Sequence, residues 1–195
     1  MNAFNLLLQL DQRIFLKVNS WNGGWLDYFF GWPTHLGENL VCVSLVGIFM
    51  WIWDDKYFRN RFIYFVLSAL LLGACLHVVK HGIARERPYS FFNDGFQSGA
   101  VRVNYLYKML LSKSFPSGHA ALSTMTAILL NAIYGKRLRF LFGLAALISF
   151  SRIYVGAHFP LDVVGGIGLG AVIGLMASKI LRKINLTSLG SSIKS

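Results

Sequence analysis

Between two strongly apolar runs lies Ser151-Arg152-Ile153-Tyr154-Val155-Gly156-Ala157-His158-Phe159-Pro160-Leu161-Asp162, which holds an arginine, a histidine and the only carboxylate in the last hundred residues. Ionisable groups are costly next to lipid, so their presence at an apolar boundary points to function. Pro160 suits the first position of a following helix, where its missing N–H has no intrahelical acceptor to lose. Asp162 then falls in the first turn, favoured by the helix dipole and within reach of His158. A carboxylate on one imidazole nitrogen fixes the tautomer and leaves the other as acceptor or nucleophile. Taken alone, the same stretch also reads as a capped helix start beside a loop-buried histidine.

Two other segments carry chemistry of the same kind. In Lys80-His81-Gly82-Ile83-Ala84-Arg85-Glu86-Arg87-Pro88, Lys80 and Arg87 would lie two turns apart and point the same way if the preceding apolar run continues as helix. Pro88 biases Arg87 out of helical geometry. Lipid-headgroup snorkelling is the alternative for such a basic pair. In Ser114-Phe115-Pro116-Ser117-Gly118-His119, Pro116 suits a first helical position, leaving the N–H groups of Ser117, Gly118 and His119 for an anion that glycine lets approach. A plain helix start with a capping serine is the alternative. His119 has the chemistry of a general acid. Lys80, Arg87 and Arg152, a helix N-terminus and two histidines together suit phosphoryl transfer, which asks mainly for positioning and charge neutralisation. They supply both without a metal.

The elements that must position these groups are set by composition. At 195 residues the chain is one domain by length, and with 55% hydrophobic, 15% aromatic and 14% charged residues it reads as a membrane protein. Its net charge of +11, from 19 Lys+Arg against 8 Asp+Glu, fits basic flanks of apolar spans better than nucleic-acid binding. Cys42 and Cys75 fall inside apolar runs and read as packing residues. Residues Met1 to about Ser20 are not expected to be a signal peptide, since no basic region precedes the apolar residues and no cleavage site follows. Phe4, Leu7, Leu8, Ile14, Phe15 and Val18 could share one helical face, interrupted by Asp11, Arg13 and Lys17, as in an amphipathic interfacial helix. Trp21 to Gly37 is expected to be a linker with belt aromatics. Spans are expected near Asn39–Trp53, Phe62–Val79, Pro116–Tyr134, Phe140–Tyr154 and Leu161–Leu181. On the last, Gly166, Gly170 and Gly174 allow close helix approach. The tail from Arg182 is expected to be polar and frayed, and its Asn185-Leu186-Thr187 fits a glycosylation sequon.

The basic connections Lys56/Arg59/Arg61, Lys136/Arg137/Arg139 and Lys179/Arg182/Lys183 alternate to one side, expected to be cytoplasmic. The three chemical segments then share the outer face. His77 and His81, four apart, could bind a metal, but no acidic partner accompanies them. Tyr89, Phe91, Phe92, Phe96, Tyr105 and Tyr107 stud a long loop that would form a membrane lid or simply cover the bundle. Arg102, Lys108 and Lys113 in that loop could touch a large headgroup or stay solvated.

The spacing K-x6-R-P (Lys80 to Pro88), P-S-G-H (Pro116 to His119) and S-R-x5-H-x3-D (Ser151 to Asp162) resembles the complete three-part signature of the type-2 phosphatidic acid phosphatase superfamily. Members include membrane lipid phosphatases, soluble bacterial acid phosphatases and vanadium haloperoxidases. The resemblance implies an all-α bundle and a covalent phosphohistidine route. His158 would attack phosphorus, Asp162 would orient it, and His119 would protonate the departing alkoxide and then assist water. Lys80, Arg87, Arg152, Ser117 and the Gly118 N–H would hold the phosphoryl oxygens, with no metal and no cofactor. The expected architecture is an integral membrane bundle of five to six transmembrane helices. Residues 1–38 would be an N-terminal interfacial segment, 39–182 the membrane-embedded phosphatase domain and 183–195 a polar tail. Its partners would be an anionic phospholipid or glycolipid and the membrane, with no nucleic acid. The active site would face the periplasm or exterior of a bacterial inner membrane. Lipid A 1-phosphate is the leading substrate, with undecaprenyl diphosphate or phosphatidylglycerophosphate as alternatives. A haloperoxidase-like protein using the same anion pocket, and a non-catalytic lipid-binding scaffold, are the readings from other classes.

Overall fold

The computed structural model describes residues 2–21, 23–54, 57–107 and 112–192, without the side chains of Phe96 and 184–192. Asp55, Lys56, Lys108 and the sequon side chains Asn185 to Thr187 therefore lie outside the described residues. The described chain is helical, with no strand: α1 (Ala3–Asn19), α2 (Trp25–Leu36), α3 (Asn39–Trp53), α4 (Phe58–Ile83), α5 (Pro88–Phe91), α6 (Asn93–Gln97), α7 (Gly118–Tyr134), a 3-10 turn (Lys136–Leu138), α8 (Phe140–Tyr154) and α9 (Pro160–Ser192). All five long apolar runs are helices. Two helical stretches are long and apolar enough to cross a membrane, Phe58–Gly95, which begins as α4, and Pro160–Lys183 in α9. The pair α2 and α3, bent by 73°, makes a third if it is one span. Helices α3, α7 and α8 have 15, 17 and 15 residues, fewer than the roughly 20 that span hydrocarbon unaided.

Helices α7 and α9 form the spine. A β-carbon at Gly166 would overlap the Ser117 carbonyl oxygen and one at Gly170 that of Ala121, while at Gly174 it would stand 3.2 Å from Met125 Cα. The glycine face thus sets α9 backbone against α7 backbone. Around that seam, Phe65, Leu72, Met125 and Leu129 fill one core, and Phe15, Tyr154 and Phe159 a second.

Several expectations are corrected. The stretch Trp21 to Gly37 is not a linker, because α2 occupies most of it. Asp27 accepts the Gly23 N–H at 3.0 Å and stands in the first turn, where the dipole favours it, and Pro33 is buried inside the helix. The residues assigned to one face of α1 divide: Phe15 and Val18 are buried, whereas Phe4, Leu7 and Ile14 are exposed. Asp11, read as an interruption, lies on the buried face with Phe15, Val18 and Asn19. Helix α4 stops at Ile83, where Ala84 turns left-handed at φ 52, so Lys80 and Arg87 do not share a helix. The loop beyond carries α5 and α6. Helix α7 starts at Gly118, two residues after Pro116, and α9 continues through the expected tail to Ser192.

The basic turns gather at one end of the bundle. Arg61 pairs with Asp54 at 2.5 Å, and Tyr134 donates to the same carboxylate at 3.3 Å. Lys80 ends α4 where Arg61 begins it, and His119 begins α7 where Lys136 follows it. The chemical residues therefore stand at the opposite end.

Candidate active site

Pro160 is the first residue of α9, and the turn before it carries His158 into the interior with 2% of its surface exposed. The His158 and Ala157 N–H groups both donate to the Arg152 carbonyl, at 3.1 and 3.0 Å, so the end of α8 holds the histidine loop. Asp162 is fully buried. Its Oδ2 accepts from Ser114 Oγ and from the Phe159 N–H at 2.9 Å, and lies 3.6 Å from His158 Nδ1. Ser114 Oγ is nearer to that nitrogen, at 3.3 Å. The carboxylate thus acts on the ring partly through a serine hydroxyl. On the far side, Arg87 Nη1 approaches His158 Nε2 at 3.3 Å. That bond makes Nε2 the acceptor nitrogen and leaves the ring proton on Nδ1, facing Ser114 and Asp162. Burial holds the imidazole well below its ordinary range, and the nearby charges of Arg87, Arg152 and Lys80 push the same way. Both effects favour the neutral ring, whose Nε2 keeps its lone pair.

The cations converge from three segments. Arg87, extended before Pro88, also donates to Ser112 O at 2.8 Å and Ala157 O at 2.9 Å. Arg152 is buried and donates through Nη1 to Thr34 of α2, while its Nε has no partner among the described residues. Lys80 reaches Lys113 O at 3.3 Å and lies within electrostatic range of Arg87, Asp162 and Arg152. Ser117 stands at the N-cap position of α7, yet its buried hydroxyl makes no capping bond and has no partner among the described residues. Its N–H is taken by the Asp162 carbonyl at 2.9 Å, so of the three N–H groups expected to be free only those of Gly118 and His119 remain at the helix start. A β-carbon on Gly118 would meet only Leu76, at 3.9 Å, leaving that backbone approachable. His119 lies within electrostatic range of Arg152, His158, Arg87 and Lys80, and its ring rests on Gly37. Beside Gly37 opens an apolar cavity of about 210 Å³ between α3, α7 and α8, lined by Leu36, Cys42, Thr126, Leu141 and Ile148 among others.

All eight expected site residues therefore meet at one end of the bundle. Sequence reading missed Asp11, Thr34, Arg85 and Ser114. Arg85 Nη1 donates to Asp162 Oδ1 at 2.8 Å and Nη2 to Asp11 Oδ2. The only local signal was an arginine next to the spaced pair and a serine two residues before Pro116. His77 and His81 stack with centroids 4.1 Å apart and gather no metal-binding group among the described residues.

The model of the PAP2 superfamily matches residues 61–186. The chain belongs to the PAP2 superfamily. As a member it is a phosphatase, a hydrolase acting on phosphate esters, and with its apolar helices it is an integral membrane protein. It is 34% identical to an undecaprenyl-diphosphatase of Sulfolobus acidocaldarius over 74% of this chain and 65% of that protein. It is 30% identical to a lipid A 1-phosphatase of Rhizobium johnstonii over 63% of this chain and 49% of the relative. The crystal structure of Aquifex aeolicus LpxE superposes with a TM-score of 0.71 at 30% identity, covering 86% of this chain and 93% of that one. A transmembrane PAP2-type phosphatidylglycerolphosphate phosphatase from Bacillus subtilis gives 0.69 at 25% identity, covering 92% and 88%.

Proposed function

We propose that this PAP2 phosphatase removes a phosphate from a lipid headgroup at the periplasmic face, through a phosphohistidine on His158, and that its substrate is lipid A 1-phosphate. Three buried side-chain atoms have no partner among the described residues, Ser149 Oγ, Ser117 Oγ and Arg152 Nε, and the observation that carries the reading is that the last two belong to residues of this site. Each costs about 1–3 kcal/mol while unbonded, and a bound tetrahedral oxyanion would offer acceptors to both. In this reading His158 Nε2 attacks phosphorus in line, and the bond to the leaving oxygen breaks. His119, protonated as the negative charge of the bound phosphate offsets the surrounding cations, gives its proton to that oxygen. Water then attacks phosphorus while His119 accepts its proton, and as the new oxygen–phosphorus bond forms the phosphorus–nitrogen bond breaks, returning the lone pair to His158 Nε2. Arg87 must first exchange its contact with Nε2 for a phosphoryl oxygen. Lys80, Arg152, Ser117 and the Gly118 N–H hold the remaining oxygens, so charge is neutralised by the protein itself.

The hydrocarbon of the leaving group would enter the apolar cavity lined by Leu36 and Ile148, next to the Gly37 on which the His119 ring rests. The helices from α2 to α9 would cross the membrane five or six times, with the basic turns in the cytoplasm. Likeness to a lipid A 1-phosphatase and to LpxE supports lipid A 1-phosphate, as do the exposed Arg102 and Lys113, which suit a polyanionic headgroup. Likeness to the undecaprenyl-diphosphatase favours undecaprenyl diphosphate as the second reading. Phosphate release from purified lipid A 1-phosphate, undecaprenyl diphosphate, phosphatidylglycerophosphate and phosphatidic acid decides between them. Fastest kcat/KM on lipid A, abolished by His158→Ala, is expected. Equal rates on all four would contradict the narrow assignment, and turnover surviving His158→Ala would contradict the covalent route.

A further inference from the structure

We infer that Asp11 and Arg85 are positioning residues for the Asp162–His158 pair, so that α1 reaches the reacting atoms without touching them. Asp162 is fully buried, so both of its carboxylate oxygens must be satisfied by the protein. Oδ2 takes Ser114 and the Phe159 N–H, and Oδ1 takes Arg85 at 2.8 Å. The guanidinium is held in turn by Asp11 Oδ2 and lies 4.4 Å over the Phe159 ring. The other oxygen of Asp11 accepts the N–H of Leu161, in the first turn of α9, at 2.8 Å. Asp11 is only 3% exposed. One carboxylate from a distant helix therefore caps α9 and shares the arginine that faces Asp162.

Sharing sets the place of Asp162. The Arg85 guanidinium is divided between two carboxylates and fixes Oδ1 of Asp162, so that Oδ2 stays on Ser114, beside His158 Nδ1, where its charge supports the ring as it becomes cationic. With Asp11 replaced by asparagine, the guanidinium loses the partner that holds it and is free to turn wholly onto Asp162, drawing the carboxylate away from the ring. Among the described residues neither side chain bonds to the groups assigned to the phosphoryl oxygens, so the loss belongs in kcat and not in KM.

This inference rests on the phosphohistidine reading above, and its test separates the two. Asp11→Asn and Arg85→Gln are each expected to lower kcat roughly 10- to 100-fold, the usual cost of removing a partner behind a reacting group, with KM unchanged. The double variant is expected to lose no more than Arg85→Gln alone, since Asp11 acts through Arg85. A kcat for Asp11→Asn within twofold of the parent, or losses that multiply in the double variant, would overturn the inference. Should Asp11→Asn fail to fold, Arg85→Lys serves instead. It keeps the charge but not the fork that spans two carboxylates, and an unchanged kcat there has the same force. Ring nitrogen NMR of His158 gives a reading without turnover: Asp11→Asn should move the Nδ1 signal, and an unmoved signal refutes the relay even if no lipid proves to be a substrate. A parent protein inactive on every lipid phosphate would count against the functional reading alone.

Discussion

Gly37 ends α2 directly against His119: a β-carbon there would stand 2.8 Å from the imidazole Cδ2 and 2.8 Å from Ile148 Cγ2. Its φ of −86 is ordinary, so the glycine is required by space and not by backbone conformation. Gly37→Ala must push the His119 ring, and misplacing a proton donor by even an ångström costs up to about 100-fold. The loss should depend on the leaving group. With a lipid alkoxide, which needs the proton, kcat should fall by that order. With p-nitrophenyl phosphate, whose phenolate leaves unaided, phosphorylation of His158 should be spared. Rapid-quench measurement of phosphohistidine checks this, and equal losses on both substrates would argue against His119 as the acid.

What the sequence disclosed about this site follows from the range of each signal. The apolar runs behind α3, α4, α7, α8 and α9 are local and uninterrupted, and they are helices within a few residues of the expected bounds except at the end of α9, which continues to Ser192. Gly166, Gly170 and Gly174 were legible because their spacing repeats on one face. Helix α2 was hidden by Gly23, Gly24, Pro33 and Gly37, which read as breakers, although the three glycines only flank the helix and Pro33 is buried inside it. Asp11 and Arg85 are 74 positions apart. An ion pair between distant helices leaves no local period, so the aspartate looked like a flaw in an amphipathic face. Thr34, which holds Arg152 across 118 positions, was lost for the same reason. Local spacing marks the groups that would meet the phosphate, and the groups that hold them come from further along the chain.

The seam between α7 and α9 should be intolerant at Gly170. An added methyl group would collide with the Ala121 carbonyl, which is backbone and cannot rotate away, and overpacking of this kind costs about 1–3 kcal/mol. Gly170→Ala should therefore lower the Tm of the purified protein. It should also lower turnover, because the same seam carries the bond from the Ser117 N–H to the Asp162 carbonyl. Gly168→Ala meets nothing within 4 Å and should leave both unchanged. Melting curves and phosphate release on the two variants check the contrast, and equal behaviour would mean that the helices part more readily than their spacing implies.

Stability should also fall on the acid side, with His158 as one cause. Burial keeps its folded-state pKa well below the ordinary value, whereas a histidine in the unfolded chain gains a proton below about pH 6.5. In that range the unfolded state binds a proton that the folded state refuses, so lowering the pH favours unfolding. The contribution of a neutral His158 is whole above the unfolded pKa and is lost progressively as the pH falls beneath it. His158→Gln has no ring to titrate. Its Tm should therefore decline less between pH 7.5 and about 5 than that of the parent, measured in one detergent and one buffer series. A decline as steep in the variant as in the parent would show that the imidazole is already protonated in the folded protein, and an imidazolium has no lone pair with which to attack phosphorus.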